Sequence, residues 1–589
     1  MSGVCTHKIS FCLNIKRILG ACTVIFGCSG TSIYIYYQKI WLPEYIERFE
    51  LENKTPVRHT KLYLSEINDN GRTLARINTM PNLLFYLYVA YRILLLAVSS
   101  VPLIWYAFLS FGLGLCSHYF FYHRVLLFLS FMGPSYIKLG QWIATRPDLF
   151  PIELCNVLER LYDQTEPHSW RHTEKLLQRK YEDGICCGND AFYYLKDVER
   201  IPINSGSIAQ IHRARLKESI DGVPSGTELV VKVTHPFIRD RIAADLTAMH
   251  LFVKVVNIIV PGAHVFNLDH ALINFSRLIC SQVNLRIECD NMEQFRYNFR
   301  NTKGVLFPVT LPSLISEDVL FETFEEGSPI YTLDASLDNK DIAELGCHMF
   351  LKMLFQDNFV HSDLHPGNVL LRTNYMGGAP KHSSKEPRRQ LIVLDTGLVT
   401  SMSKQERNNF IALFAAVACG DGELGADLML DRLPENVNQQ LTKMNRENFR
   451  REMKSVFDLV APGTEGFKLG TINISEVLAK VLKTVRENNV LLDGNFASLV
   501  FTVIVGEGLG RRLTPDFNLF VEAAPYLITY LEKDELWFLA NKLRETYGVS
   551  GLIRDTVDLV RTEKANTYFE AFAKKSMDFL ECIFISMTN

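Results

Sequence analysis

Neither sign of charge dominates this 589-residue chain, in which 62 Lys and Arg stand against 65 Asp and Glu for a net charge of −3. Attraction to a phosphate backbone is driven by positive charge, so the balance implies no overall attraction to nucleic acid, and no such partner is expected. Metal-binding cysteine pairs are missing too. The 13 cysteines contain no C-x-x-C, and their one close pair is the adjacent Cys186 and Cys187. Neither a zinc site nor a secreted disulfide framework fits that pattern, so most of them read as reduced core thiols. A 48 % apolar and 22 % charged composition argues against long disordered regions. The chain has room for two or three domains and a large core.

Acidic residues are absent before Glu44, while Lys8, Lys16, Arg17 and Lys39 supply positive charge. An acid-free basic leader resembles a mitochondrial transit sequence. Lys16-Arg17 followed by ILGACTVIFGCSG also fits a secretory leader, and both addresses stay open on this segment alone. Ile18 to Tyr37 is uncharged for the ~20 residues that cross a bilayer. Residues 1–43 therefore read as a targeting or membrane segment. Charge of either sign is missing again between Arg92 and Arg124, where ILLLAVSSVPLIWYAFLSFGLGLC fills most of the run. Residues 82–124 read as a transmembrane region with Trp105, Tyr106, Tyr119 and Tyr122 as interface anchors. The competing reading is a buried helical hairpin broken at Pro102.

Beyond this the texture is that of a soluble domain. In GPSYIKLGQWIATRPDLFP (133–151) Lys138 and Gln141 are three apart and share a helix face. IPINSGSIAQIHRARL (201–216) and SGTELVVKV (225–233) read as a hairpin of extended segments. Its small side chains, Asn204, Ser205, Gly206 and Ser207 with Ile208 and Ala209 following, let backbone N–H groups approach a phosphate. VVKV sets Lys232 in a β-branched strand, either on an exposed edge or buried against an anion, for which Glu288 in QVNLRIECDNMEQF is the candidate.

Downstream, a helical pattern over 342–360 delivers the chain to HSDLHPGNVLL (361–371). A basic, Gly/Pro/Ser-rich insertion then separates this from LIVLDTGLV (391–399), which places Asp395 just after an apolar strand. Phosphoryl transfer needs cations along the phosphates, oxygen ligands for metal ions and a group that orients the acceptor. Lys232 held by Glu288, then Asn368 with Asp395, then Asp363 supply these in turn, with Mg2+ the metal suited to such ligands. Asp363 and Asn368 have the separation of Asp and Asn in H-R-D-x-x-x-x-N, and D-T-G stands where protein kinases have D-F-G.

Three departures from ordinary protein kinases occur together: SIAQIH in place of a glycine-rich loop, H-x-D-x-H-P-G-N in place of H-R-D, and KLGQ far upstream. On these residues the chain resembles the UbiB/aarF-domain family of atypical kinases, from about Gly133 to about Asn518. The resemblance implies an α+β, bilobal kinase-like fold with a helical N-terminal extension and a helical C-terminal lobe. It also implies ATP or ADP with Mg2+, and a role in coenzyme Q biosynthesis or mitochondrial lipid metabolism. The expected partners are a lipid or quinone-like small molecule, the mitochondrial (inner) membrane and coenzyme Q biosynthetic proteins. Lys138 and Gln141 take the family's regulatory position, which obstructs a peptide substrate. Where relatives carry an E-x-D pair ahead of the helix glutamate, this chain has Gln282 and Asn284, which puts the partner of Lys138 in question. The implied organisation is 133–200 extension, 201–330 N-lobe, 331–530 C-lobe and 531–589 helical tail. Two alternatives stand beside it: a nucleotide-dependent scaffold with little turnover, and a small-molecule phosphotransferase of the aminoglycoside or choline kinase type.

Overall fold

The computed structural model describes residues 82–161, 166–178, 191–259, 268–333, 339–364, 367–373, 375–376, 379–380, 389–402, 422–430, 443–458, 474–488, 490, 494–514 and 519, and within 403–421 only Arg407, Phe410, Leu413 and Ala416. The segment assigned to 1–43 and the tail 531–589 lie outside the described residues.

The first part of the uncharged run lies in helix α1 (Asn82–Ala107), which continues through Pro102 instead of breaking there. A π-helical turn follows over Phe108–Gly112, and helix α2 (His118–Met132) begins at Ser117, whose hydroxyl accepts a hydrogen bond from the Phe120 N–H at 3.2 Å. The two helices pair as a hairpin, with the Tyr106 and Phe120 rings 5.5 Å apart. Leu83–Gly112 is the one helix among the described residues long and apolar enough to cross a membrane. Of the four expected interface anchors, Trp105 and Tyr119 are exposed, Tyr106 is half-buried and Tyr122 is buried. Tyr122 is therefore corrected to a core residue.

Helices α3 (Pro134–Ala144), α4 (Ile152–Leu158), α5 (Trp170–Leu177), α6 (Ile238–Ile259), α7 (Leu268–Gln282) and α8 (Leu285–Phe299) follow. Gly133 before α3 has φ +97°, a backbone conformation that favours glycine, and an added Cβ would displace the Arg241 guanidinium. Apart from the two-residue hairpin of Tyr375–Met376 with Ala379–Pro380, the described strands are, in chain order, β1 (Leu195–Lys196), β2 (Asn204–Ser205), β3 (Ala209–Leu216), β4 (Glu228–Thr234), β5 (Val305–Leu306), β6 (Val319–Thr323), β7 (Ser328–Pro329), β8 (Val360–His361), β9 (Val369–Thr373), β10 (Arg389–Val393) and β11 (Val399–Thr400).

The chain divides into two compact units, one holding residues up to Gln294 with Pro308–Phe324, the other Phe295–Phe307 with the chain from Glu325. In the first unit the sheet order is β1-β3-β4-β6, antiparallel, with β2 also paired to β3. Leu229, Val231 and Val233 alternate onto one face and join Leu216, Phe321 and Leu177 in a core. A separate helical core gathers Phe85 and Val89 of α1, Leu129 of α2, Trp142 of α3, Ile242 of α6 and Phe275 of α7. The one charge in the body of α1, Arg92, points into that core and pairs with Asp245 of α6. Ser135 donates to the same carboxylate at 2.6 Å, and Arg92 also donates to the Met132 carbonyl at 2.9 Å. Full pairing is what makes two buried charges tolerable here.

In the second unit a four-stranded sheet runs β5-β10-β9-β7, with β5 parallel to β10 and the other pairings antiparallel. A short β8–β11 ladder accompanies it. Helices α9 (Lys340–Leu351), α10 (Gly422–Leu430), α11 (Lys443–Asp458), α12 (Ile474–Glu487) and α13 (Gly494–Leu513) complete the described part. The helix expected over 342–360 ends at Leu351, where a π-helical turn over Lys352–Gln356 takes over. No disulfide joins the described cysteines; burial pushes the Cys280 and Cys289 thiols up to about 12, as expected of inert core thiols.

Candidate active site

Lys232 lies in β4, which is flanked by β3 and β6, so it is not on an edge strand; its cross-strand neighbours are Ile211 and Leu320. Alternation turns Lys232 to the face opposite Leu229, Val231 and Val233. On that face Leu320 packs with Leu285 and Cys289 of α8, which brings the first turn of α8 over the sheet. Glu288 in that turn meets Lys232 with both oxygens, Nζ to Oε1 at 2.7 Å and to Oε2 at 2.9 Å. Their side chains are 16 % and 5 % exposed, so the carboxylate replaces the water an ammonium would otherwise lose. Asn284 starts α8: its side-chain oxygen accepts the Arg286 N–H at 3.0 Å and its carbonyl the Ile287 N–H. Asn284 thus serves as the cap of the helix whose first turn carries Glu288. Gln282 closes α7, and its Oε1 is buried with no hydrogen-bond partner.

The SIAQ loop is a tight hairpin, with Asn204 opposite Ile211, Ser205 opposite Gln210, and the Gly206 N–H donating to the Ala209 carbonyl at 2.9 Å. Asn204 is exposed, while Ser205, Ser207, Ile208 and Ala209 are buried. Ile208 joins the helical core that contains Trp142 of α3. The hydroxyls of Ser205 and Ser207 are buried without partners.

A hydrogen-bonded histidine chain that sequence reasoning missed holds this loop. His235, which follows β4, donates its backbone N–H to the Ile208 carbonyl and its Nε2–H to the Gly206 carbonyl, both at 2.8 Å. Its Nδ1 then accepts from Nδ1 of His168 at 2.8 Å, and Nε2 of His168 accepts from the Thr173 hydroxyl at 3.0 Å. Each ring is neutral in this arrangement. Burial, with His235, His172 and His212 nearby, lowers His168 to about 3, and burial also lowers His235. Sequence spacing carries no signal for a pair 67 residues apart.

Gly140 in KLGQ is a packing glycine, since a Cβ there would lie 2.2 Å from a Leu161 methyl. Gln141 donates to the Leu161 carbonyl at 3.3 Å, which ties α3 to the segment after α4, and Lys138 is half-buried on the same helix.

In the second unit, His361 is fully buried, donates from Nε2 to the Leu394 carbonyl at 3.2 Å and accepts the Asp363 N–H at Nδ1. It is a structural brace for the loop. Asn368 donates its amide to the Asp363 carbonyl at 3.0 Å, and its own carbonyl accepts the Leu394 N–H at 2.8 Å. The ladders pair His361 with Val399 and Val369 with Val393, so Asp363, Asn368 and Asp395 are gathered at the ends of paired strands. Asp395 is exposed and has φ +51°, a left-handed conformation that costs a non-glycine residue energy and re-aims its side chain at the end of β10. Among the described residues no three His, Cys, Asp or Glu side chains converge on a metal position. Asn368 and Asp395 carry side-chain oxygens of the kind Mg2+ takes when phosphates and water complete its shell.

The ABC1 atypical kinase-like domain matches residues 160–426. A protein of Vibrio atlanticus named probable protein kinase UbiB is 32 % identical over 69 % of this chain and 70 % of its own length. The chain belongs to the ABC1/UbiB family of atypical kinases. Its α+β architecture is the family's kinase-like fold, with Lys232 and Glu288 in the first unit and the Asp-Asn-Asp set in the second. An ABC1 family mitochondrial protein of Saccharomyces cerevisiae is 33 % identical over 68 % of this chain, and a probable serine/threonine-protein kinase, abkC, of Dictyostelium discoideum is 30 % identical over 71 %. This chain spans 66 % of the length of each of these two, just under two thirds.

Proposed function

We propose that the chain binds ATP with Mg2+ and transfers or releases its terminal phosphoryl group, at a mitochondrial membrane, in support of coenzyme Q biosynthesis or mitochondrial lipid metabolism. The observation that carries this is the two-oxygen clasp of Lys232 by Glu288 in the centre of a sheet. Packing alone does not call for a cation there; a charged ligand does. Lys232 would neutralise phosphate oxygens, and the small residues of the SIAQ loop would let its backbone N–H groups approach a phosphate closely. Asn368, whose amide nitrogen is committed to Asp363, and Asp395 would hold Mg2+, which supplies charge neutralisation along the phosphates. Asp363 would orient the acceptor or water and receive its proton.

A lipid or quinone-like acceptor suits this chain better than a peptide, because the K-x-G-Q helix α3 shares its core with both the SIAQ loop and the apolar hairpin. Lys138 and Gln141 on that helix would regulate access, and coenzyme Q biosynthetic proteins are the proposed partners. The test is phosphate release by the full-length protein in detergent, with ATP and Mg2+. Release that survives unchanged in Asp363→Asn would rule out the role given to Asp363.

A further inference from the structure

We infer that the α1–α2 hairpin is a one-sided membrane anchor: its tip, from Trp105 to Tyr119, enters one leaflet and the chain returns to the side it left. This rests on the membrane association proposed above and sharpens it from presence to topology.

Both legs are fixed at one base. Arg92 of α1 pairs with Asp245, and the Met132 carbonyl at the end of α2 accepts from Arg92 at 2.9 Å and from Arg241 at 3.2 Å. The points where the chain leaves and re-enters the packed core therefore share a guanidinium and lie on the same side of any bilayer. From that base α2 has 15 residues, roughly 22 Å of helix. That falls short of the ~30 Å hydrocarbon core.

The part able to enter lipid is shorter still. Arg124 ends the charge-free run, and its guanidinium sits over the rings of Tyr106 and Phe120, 5.1 and 4.7 Å from their centroids. From Arg124 to the cap Ser117 is about 10 Å of helix, the depth at which interfacial helices seat their apolar face. A cation on aromatic rings at that level is placed to reach headgroups while its stem stays in apolar surroundings. Above it Trp105, Phe111, Leu113, Leu115 and Tyr119 are all exposed, Leu115 by 71 %. Leu94, Val98 and Val101 continue the exposed apolar surface down α1, so the hairpin leans on that face. With no Lys or Arg at the tip, insertion draws on apolar burial and needs no anionic lipid.

Cys116, a half-exposed free thiol in the turn, reports on this directly. Full-length protein is bound to phosphatidylcholine vesicles and treated with a membrane-impermeant maleimide, outside or trapped inside, with Cys116 read by peptide mass spectrometry. The expected result is protection from both sides and modification at least tenfold faster once detergent is added. Modification from the inside means the tip crosses, and modification from the outside means it never enters; either overturns the inference. In Leu115→Glu the thiol should become reactive from outside, and continued protection would count equally against it. Failure of the intact protein to float with the vesicles would instead sink membrane association itself.

Discussion

Both carboxylate oxygens of Glu288 lie within hydrogen-bond distance of Lys232 Nζ, at 2.7 and 2.9 Å, across the junction of a central strand and a helix start. Replacing Glu288 with Gln leaves the ammonium poorly compensated and mobile. Magnesium-dependent phosphate release should fall at least tenfold, about 1.4 kcal/mol or more. The Lys232→Met, Glu288→Gln double variant should be no slower than Lys232→Met alone. Additive losses in a double-mutant cycle would show that the two residues act separately.

Asp363→Asn keeps the backbone N–H that His361 accepts and removes the charge. Losing one electrostatic contributor of this kind costs about 3 kcal/mol in the transition state, so phosphate release should drop roughly 100-fold. Nucleotide affinity should stay within a factor of a few, checked by calorimetry.

Asp395 separates a backbone demand from a ligand demand. Asp395→Ala and Asp395→Gly should both lose magnesium-dependent nucleotide binding. Because φ is +51°, the glycine variant should unfold at the higher temperature, the difference being about 1 kcal/mol. Equal melting temperatures would contradict the left-handed assignment.

Acid should loosen the histidine clamp on the SIAQ loop. His168 and His235 are lowered from 6.5 when folded, so below about 6.5 the unfolded chain binds more protons and stability falls as pH falls. In His168→Gln the fall of melting temperature between pH 7 and 5 should be shallower than in the wild type. An unchanged slope would place the sensitivity at other buried histidines.

Gly140→Ala would push a methyl to 2.2 Å from Leu161. Overpacking of that kind costs about 1–3 kcal/mol, and thermal unfolding should show it even if the variant still binds nucleotide.

Much of this was legible in the chain. VVKV read as a strand because β-branched residues surround a lone lysine, and cover on both faces, the core of Leu216 and Phe321 on one and α8 on the other, accounts for its nearly continuous apolar character. H-x-D-x-H-P-G-N and D-T-G carried their order and spacing. What could not be read was what depends on distant contacts. The turn after α1 falls at 108–117 and not at Pro102, because a proline late in a helix costs only part of the ladder while tertiary packing keeps both legs helical. Tyr122 looked like an interface anchor until packing placed it inside. The histidine clamp on Gly206 joins residues with no sequence relation, and Asn284 became legible as a cap only once α8 was seen to start after it.

The hairpin shares its core with the domain, which bears on how the protein is handled. Excising residues 82–132 to obtain a soluble kinase fragment would strip Phe85, Val89, Leu129 and Met132 from a core that also seats Ile208 and Trp142. It would also strand the Asp245 carboxylate in the interior without the guanidinium of Arg92, a defect worth about 3–5 kcal/mol when one partner of a buried pair is removed. A preparation trimmed in this way would be expected to misfold or lose the packing of its SIAQ loop, and its inactivity would be a fault of the trimming. Enzymology on this chain belongs in micelles or nanodiscs, with the apolar hairpin intact.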